Sequence, residues 1–388
     1  MSLEYREINE RGRITSLQAL RALAFFGIFF SHTIRPTMWA VLSVSVFYVM
    51  SGFLMYYRYE EKEIRSSVKG NFLFALSKIK KMYPLHIITL VLALLMNIVL
   101  DIHNNVMNAE YGMDLLIRSL LDVPLLSAWA PDYGSVNGVA WFLSVTLFLY
   151  FCFPFFKGGI KKAKKISLII IALCILIFQV IFYSVWIKLI LFSGYSGISR
   201  FTWFSYYFPV FRLGDFVIGC FLGRVYMENT KVNYLKGAAD SSTVGRSTTK
   251  GAILISVAEL FILALSLVIV YYPFDRSALL PINPTFNMTT LFIPLAAAWV
   301  YLFAIKKGIL TSVFSNRFLI FLGNYSPYMF LIHGVVKFYT DRLLNLLDID
   351  NTGIVKVCVV TLEMLATFVS AFIYKKAEDH FKNAFQKK

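Results

Sequence analysis

The chain has 388 residues, of which 58% are hydrophobic and 15% charged, and its mean hydropathy is +0.66. These values exclude an ordinary soluble domain and indicate a polytopic membrane protein. The formal net charge of +16 would suggest nucleic-acid binding in a soluble chain, but the basic residues gather in alternate loops. That distribution is typical of loops retained in the cytoplasm, so we do not expect nucleic acid as a partner.

Ten apolar stretches bounded by charged or turn residues predict ten transmembrane helices. They lie near residues 17–33, 40–57, 84–101, 139–156, 166–187, 203–223, 252–272, 289–305, 318–338 and 354–374. The basic loops follow the even-numbered spans, which predicts that both termini are cytoplasmic. We therefore predict an all-α membrane protein, a bundle of about ten transmembrane helices that forms one domain over residues 1–388. The expected location is a cell membrane, with a bacterial plasma membrane as the first choice.

The segment between the third and fourth spans, residues 102–138, contains a Leu-rich stretch from Leu115 to Trp129. Such a stretch either lies at the membrane interface or dips back into the bundle. The sequence leaves both positions open.

The first span contains Arg21 and, at its outward end, His32. Eleven helical positions bring two side chains back to nearly the same face, about 16 Å apart along the axis. A charge inside the membrane is costly and usually functional. His32 is a candidate general base, although it could simply anchor the helix end. Arg21 lines a polar cavity or, alternatively, forms a structural ion pair with Asp215.

Other chemistry-bearing residues lie within or beside later spans. The ninth span ends at His333, at a depth comparable to that of His32, so two histidines could flank one site. Arg212 and Asp215 stand three apart in the sixth span, where a buried structural ion pair is the simpler interpretation. Lys78 and Lys81 precede the third span. Either they keep this loop in the cytoplasm, or they bind phosphate.

Taken together, these strings resemble the acyltransferase-3 family of integral membrane proteins. The resemblance is carried by residues 17–32, 43–54, 141–145, 211–223 and 322–333. It also includes the basic residues Lys78, Lys80 and Lys81, which precede Tyr83 and Pro84. One departure concerns the glutamate pair that many members carry after the Ser-Val string, because Thr146 and Leu147 stand there in this chain. The role of that acid cannot be carried over.

The resemblance implies transfer of an acyl group, commonly acetyl, from acyl-coenzyme A as co-substrate to a carbohydrate hydroxyl, with no bound cofactor and no metal. His32 would be the general base or an acyl relay. The other implied site residues are His333 and Ser144 as catalytic groups, Arg21, Lys78, Lys81 and Arg212 for the coenzyme A phosphates, and Trp141 and Asp215 for the acceptor. Because only residues 375–388 follow the last predicted span, the chain is expected to act alone or to hand its acyl group to a separate extracytoplasmic protein.

A transporter or flippase of a lipid-linked glycan is the competing interpretation, since intramembrane Arg and His also line substrate paths. We find no inverted repeat between the two halves of the sequence. Consumption of acyl-coenzyme A separates the two functions, because a flippase needs none. A non-enzymatic scaffold is a weaker third interpretation, which the grouping of Arg, His and Lys argues against.

Overall fold

The computed structural model describes residues 13–35, 37–64, 66–103, 108–193, 200, 202–239, 249–271 and 284–386. Over these residues the chain is built from helices, with no β-strand among them. They are α1 (Ser16–Thr33), α2 (Met38–Tyr59), α3 (Val68–Ile79), α4 (Tyr83–His103), α5 (Ala109–Asp122), α6 (Trp141–Lys162), α7 (Lys165–Phe192), α8 (Pro209–Ala239), α9 (Thr249–Tyr271), α10 (Pro284–Ile305), α11 (Ile309–Phe314), α12 (Arg317–Leu346) and α13 (Gly353–Gln386). We call the end of the bundle at which α1 begins the inner end and the opposite end the outer end.

Each of the ten predicted spans coincides largely with one helix, so the all-α prediction is confirmed for the described residues. Within those residues, six helices are long and apolar enough to cross a bilayer, namely α2, α6, α7, α9, α12 and α13. A seventh span results if α3 and α4 are counted as one bent helix. The polar residues Gln18, Arg21 and His32 lower the hydropathy of α1. Ten spans and cytoplasmic termini therefore stay predictions.

Helix α1 lies inside the bundle, packed against α2, α10 and α12. Leu17 and Ala19 are fully buried, and Phe25 is 1% exposed. At the inner end, the Ser16 hydroxyl donates a hydrogen bond to the carbonyl oxygen of Phe303 over 2.5 Å. Because neighbouring helices cover most of α1, its polar side chains do not have to face hydrocarbon.

Glycine contacts bring the central helices unusually close together. A Cβ atom added to Gly323 of α12 would lie 1.8 Å from the carbonyl oxygen of Gln18 in α1. A Cβ atom on Gly52 of α2 would lie 1.9 Å from the carbonyl oxygen of Phe216 in α8. Only glycine permits these approaches, which are typical of helix pairs that associate within membranes.

Residues 108–138 return along α4 toward the bend of 68° that separates α3 from α4. The Tyr83 hydroxyl donates to the carbonyl oxygen of Val123, and His86 Nε2 donates to that of Asp122, both over 2.9 Å. The Asp122 carboxylate in turn accepts the Val136 N–H over 2.7 Å. These bonds fasten the end of α5 and the loop after it to the first turn of α4, while Leu116 and Leu120 of α5 stay exposed. Both positions of the Leu-rich stretch, at the interface or dipping inward, stay predictions.

We predict that Gly323→Ala destabilises the protein by about 1–3 kcal/mol, because the added methyl group meets a backbone oxygen that cannot rotate away. The measurement is the apparent thermal unfolding midpoint in detergent. Gly158→Ala in α6 is the matched control, since no heavy atom lies within 4 Å of its added Cβ. Equal effects of the two substitutions would contradict the proposed tight crossing of α1 and α12.

Candidate active site

Two histidines meet near the outer end of α1. His32 Nδ1 and His333 Nε2 are 3.0 Å apart. The two rings are stacked, with their planes 10° apart and their centroids separated by 5.3 Å. His333 is 1% exposed, whereas His32 is an exposed residue. The structure therefore brings the two predicted catalytic histidines together and leaves one of them accessible; we call them the histidine pair.

The hydrogen bonds of the histidine pair determine its neutral tautomers. His333 Nδ1 lies 2.7 Å from the carbonyl oxygen of Phe330, and a carbonyl oxygen only accepts, so Nδ1 carries the proton. In neutral His333, Nε2 is then an acceptor, and His32 must donate to it from Nδ1. Neutral His32 is consequently unprotonated at Nε2, which is the atom that a general base uses.

Phenylalanine rings surround His333. The centroids of Phe25, Phe29 and Phe330 lie 5.8, 6.3 and 5.6 Å from that of His333. The Phe330 ring also contacts Phe142 of α6, with 4.9 Å between centroids. These rings hold water away from the buried end of the histidine pair, and a hydrogen bond in such a medium is stronger than one in water.

Sequence reasoning missed a lysine that lies near His32. Lys337 follows His333 by one turn of α12, and its charge acts on His32. Its Nζ atom lies 2.7 Å from Oδ2 of Asp341. The signal in the sequence was a lysine inside the predicted span 318–338 with an aspartate four positions later, a typical helical ion pair. The histidine pair is thus flanked by a cation and its partner.

Two further arginines lie near Arg21, and we call Arg13, Arg21 and Arg58 the arginine cluster. Arg13 and Arg58 lie close enough to Arg21 to act on its charge. Partial burial lowers the pKa of the Arg13 guanidinium, and the positive charge of Arg58 lowers it further. Arg21 donates to the side-chain oxygen of Gln18 over 3.2 Å. Within the described residues, no Asp or Glu forms an ion pair with the cluster, so it suits a polyanion.

The two predicted phosphate-binding lysines have different neighbours at the α3–α4 bend. Lys78 donates to the Tyr59 hydroxyl over 2.7 Å and lies 4.4 Å from the centroid of that ring. Lys81 lies 5.3 Å from the centroid of the Tyr328 ring, and the charge of Glu378 acts on it. Lys375, Lys382 and Asp379 also act on Lys81, and Glu378 is itself paired with Lys382, so Lys81 lies among charges of both signs.

Arg212 and Asp215 form an ion pair on α8 that is fully buried, with 3.1 Å between Nη2 and Oδ1. Arg212 also donates to the Ser45 hydroxyl over 3.1 Å and lies 5.0 Å from the centroid of the Tyr48 ring. Asp215 therefore pairs with Arg212, and the alternative in which it pairs with Arg21 is not realised. The contacts support a structural role, and binding of coenzyme A or acceptor by this pair stays a prediction.

The two predicted residues of α6 lie near its outer end. The Trp141 ring packs against Tyr206 and Tyr207, with centroid distances of 5.2 and 4.5 Å. Ser144 is 1% exposed, and its hydroxyl accepts the Ala128 N–H over 3.3 Å. This bond fastens the returning segment to α6. Among the described contacts of Ser144 none is with the histidine pair, and its catalytic role stays a prediction.

Comparison with known families gives one result. The profile of a family described as an acyltransferase domain matches residues 14–375, nearly the whole chain. The matched range contains the histidine pair, two of the three clustered arginines and the buried ion pair. Among curated proteins and among solved structures, no significant match is found.

We predict that Asp215→Asn destabilises the protein by about 3–5 kcal/mol, because it leaves a buried guanidinium without its counter-charge. The double variant Arg212→Met with Asp215→Leu should recover most of this loss, since no buried charge remains. Apparent thermal unfolding midpoints in detergent measure both effects. A single variant as stable as the wild type would show that the pair does not stabilise the fold.

Proposed function

Because the chain belongs to the acyltransferase-3 family, we propose that it is an O-acyltransferase embedded in a cell membrane. It transfers an acyl group, acetyl in the first instance, from cytoplasmic acyl-coenzyme A to a hydroxyl of an extracytoplasmic or lipid-linked carbohydrate. One observation carries the proposal: the hydrogen bond between His32 and His333, which leaves Nε2 of an exposed histidine unprotonated.

In the proposed reaction His32 is the general base. Its Nε2 atom takes the proton of the acceptor hydroxyl while the hydroxyl oxygen attacks the carbonyl carbon of the thioester. A new C–O bond forms, the C–S bond breaks, and the departing sulfur takes the proton from His32. The histidine returns to its starting state, and the products are the acylated carbohydrate and free coenzyme A.

His333 is proposed as a positioning residue. Its Nε2 atom accepts from Nδ1 of His32 before the proton transfer and continues to do so afterwards, so the His32 ring keeps its orientation. The Phe330 carbonyl holds His333 in the required tautomer.

The arginine cluster is proposed to bind the phosphates of coenzyme A. Guanidinium groups bind phosphates through paired hydrogen bonds, and this cluster has no carboxylate partner among the described residues. Arg21 and His32 are about 16 Å apart along α1, a distance that an extended pantetheine arm can bridge. Phosphates at the cluster therefore allow the thioester to reach the histidine pair.

The experiment that tests the proposal is release of coenzyme A thiol from acetyl-coenzyme A by the purified protein in lipid, with a crude glycan acceptor. His32→Ala should lower the acceptor-dependent rate about 10²–10⁴-fold, the usual contribution of a general base. His380→Ala, an exposed histidine of α13, is the matched control and should keep the wild-type rate. A wild-type rate for His32→Ala would overturn the proposal.

The same assay examines the role of His333. A glutamine at this position can accept from His32 Nδ1 through its side-chain oxygen, whereas a leucine fills similar space without an acceptor. His333→Gln should therefore retain more activity than His333→Leu. The two variants should differ in kcat and should have the same KM for acyl-coenzyme A. Intact-mass analysis without acceptor distinguishes the base from an acyl relay, which would leave the acyl group on His32.

We predict that Arg58→Gln raises the KM for acyl-coenzyme A about tenfold, because a charge-assisted contact with phosphate is lost. Lys81→Gln should raise it less, since the proposal places the phosphates at the arginine cluster and Lys81 lies among charges of both signs. Initial rates at varied acyl-coenzyme A concentration measure both values. A larger effect for Lys81 than for Arg58 would move the phosphate site from the arginine cluster to the α3–α4 bend.

A further inference from the structure

An apolar groove runs along the face of α1 that is turned away from the histidine pair. Its volume is about 760 Å³, and its walls come from α1, α2, α9, α10 and α11. Leu20, Phe30, Ile34, Leu42, Leu263 and Phe303 are among the lining residues. At 100° per residue, Phe30 and Ile34 each stand about 200° from His32, so the groove and the histidine pair occupy opposite sides of one helix. We call this cavity the α1 groove.

The α1 groove is longer than one leaflet of a bilayer. It extends along α1 from Leu20 to Ile34, which corresponds to about 21 Å at 1.5 Å per residue. One leaflet contributes about 15 Å of hydrocarbon, half the thickness of the bilayer core. A chain that fills the groove from the outer end therefore extends beyond the midplane, where an ordinary phospholipid chain ends.

The groove has a charged side chain at its outer end. Among the lining residues in the described part of the chain, Arg35 is the one charged side chain, and it is exposed. The turn that bears it is fixed by a reciprocal pair of hydrogen bonds. The Thr37 N–H donates to the Ser31 hydroxyl over 2.8 Å, and that hydroxyl donates to the Thr37 carbonyl oxygen over 3.1 Å. Trp39 donates to the Tyr271 hydroxyl over 3.0 Å beside this turn, linking α2 to α9.

We propose that the α1 groove binds a polyisoprenoid phosphate, the chain along α1 and the phosphate at Arg35. The inference rests on the proposed function, because it makes the acceptor a carbohydrate carried on this lipid. Arg35 follows His32 by three residues, a stretch of at most about 11 Å. A sugar attached to a phosphate at Arg35 therefore reaches His32, an exposed residue, from the outer end, while the donor approaches from the inner end.

Binding is tested without acyl donor, so that it does not depend on catalysis. The purified protein in detergent is mixed with a long-chain polyprenyl phosphate, with geranyl phosphate or with dioleoyl phosphatidic acid, and retained lipid is measured by native mass spectrometry. The long chain should bind at least about tenfold more tightly than the other two. Arg35→Gln should weaken it about tenfold, and Leu23→Trp, which fills the groove, should also weaken it.

Arg342→Gln is the matched control, because Arg342 lies over the Phe338 ring of α12 and does not line the groove. Equal retention of phosphatidic acid and the polyprenyl phosphate would overturn the proposal, as would equal effects of the two arginine substitutions. His32→Ala should keep full binding. If the polyprenyl phosphate binds as expected but no His32-dependent transfer occurs, the groove assignment stands and the acyltransferase proposal fails.

Discussion

The close crossing of α1 and α12 is the contact on which the candidate site depends. Gly323 lets the backbone of α12 approach Gln18, and the two helices then diverge little enough for His32 and His333 to form a hydrogen bond at the other end. A side chain at position 323 would separate the helices at their inner end, and the separation would be carried to the histidine pair. Glycine is required here for backbone proximity, because no side chain of any size fits the space.

The helices divide into a central group that is largely buried within the protein and a peripheral group that is largely exposed. Within an apolar stretch of 18 residues in each helix, 72% of the residues of α2 and 61% of those of α12 are buried within the protein. The corresponding share in α7 and in α9 is 17%. The exposed faces of the peripheral helices can therefore be apolar, since lipid is their solvent. The polar side chains of these helices that are buried, such as Gln179 of α7 and Glu259 of α9, form hydrogen bonds within the protein. The central helices can carry Arg21, Arg212 and the histidine pair, because neighbouring helices supply the partners that lipid cannot.

The positions of the helices could be predicted from the sequence, because a helix that crosses a bilayer requires a long apolar run. Each predicted span coincides largely with a helix. The spacing of Arg212 and Asp215 was also sufficient to predict their ion pair, because three positions form one local face. The contact between His32 and His333 could be suggested only from depth, since it joins residues that are 301 positions apart. The return of residues 108–138 to the start of α4 depends on contacts such as Tyr83 with Val123, which leave no periodic signal.

The arrangement along α1 suggests how a reaction can join substrates from opposite sides of a membrane without a large movement of the protein. The arginine cluster and the histidine pair lie near opposite ends of one helix, about 16 Å apart. Under the proposed reaction, the flexible arm of the donor covers this distance, and the acceptor needs only to reach the exposed His32. The fixed tautomer matters most in such a design, because Nε2 of the base must already be unprotonated when the thioester arrives.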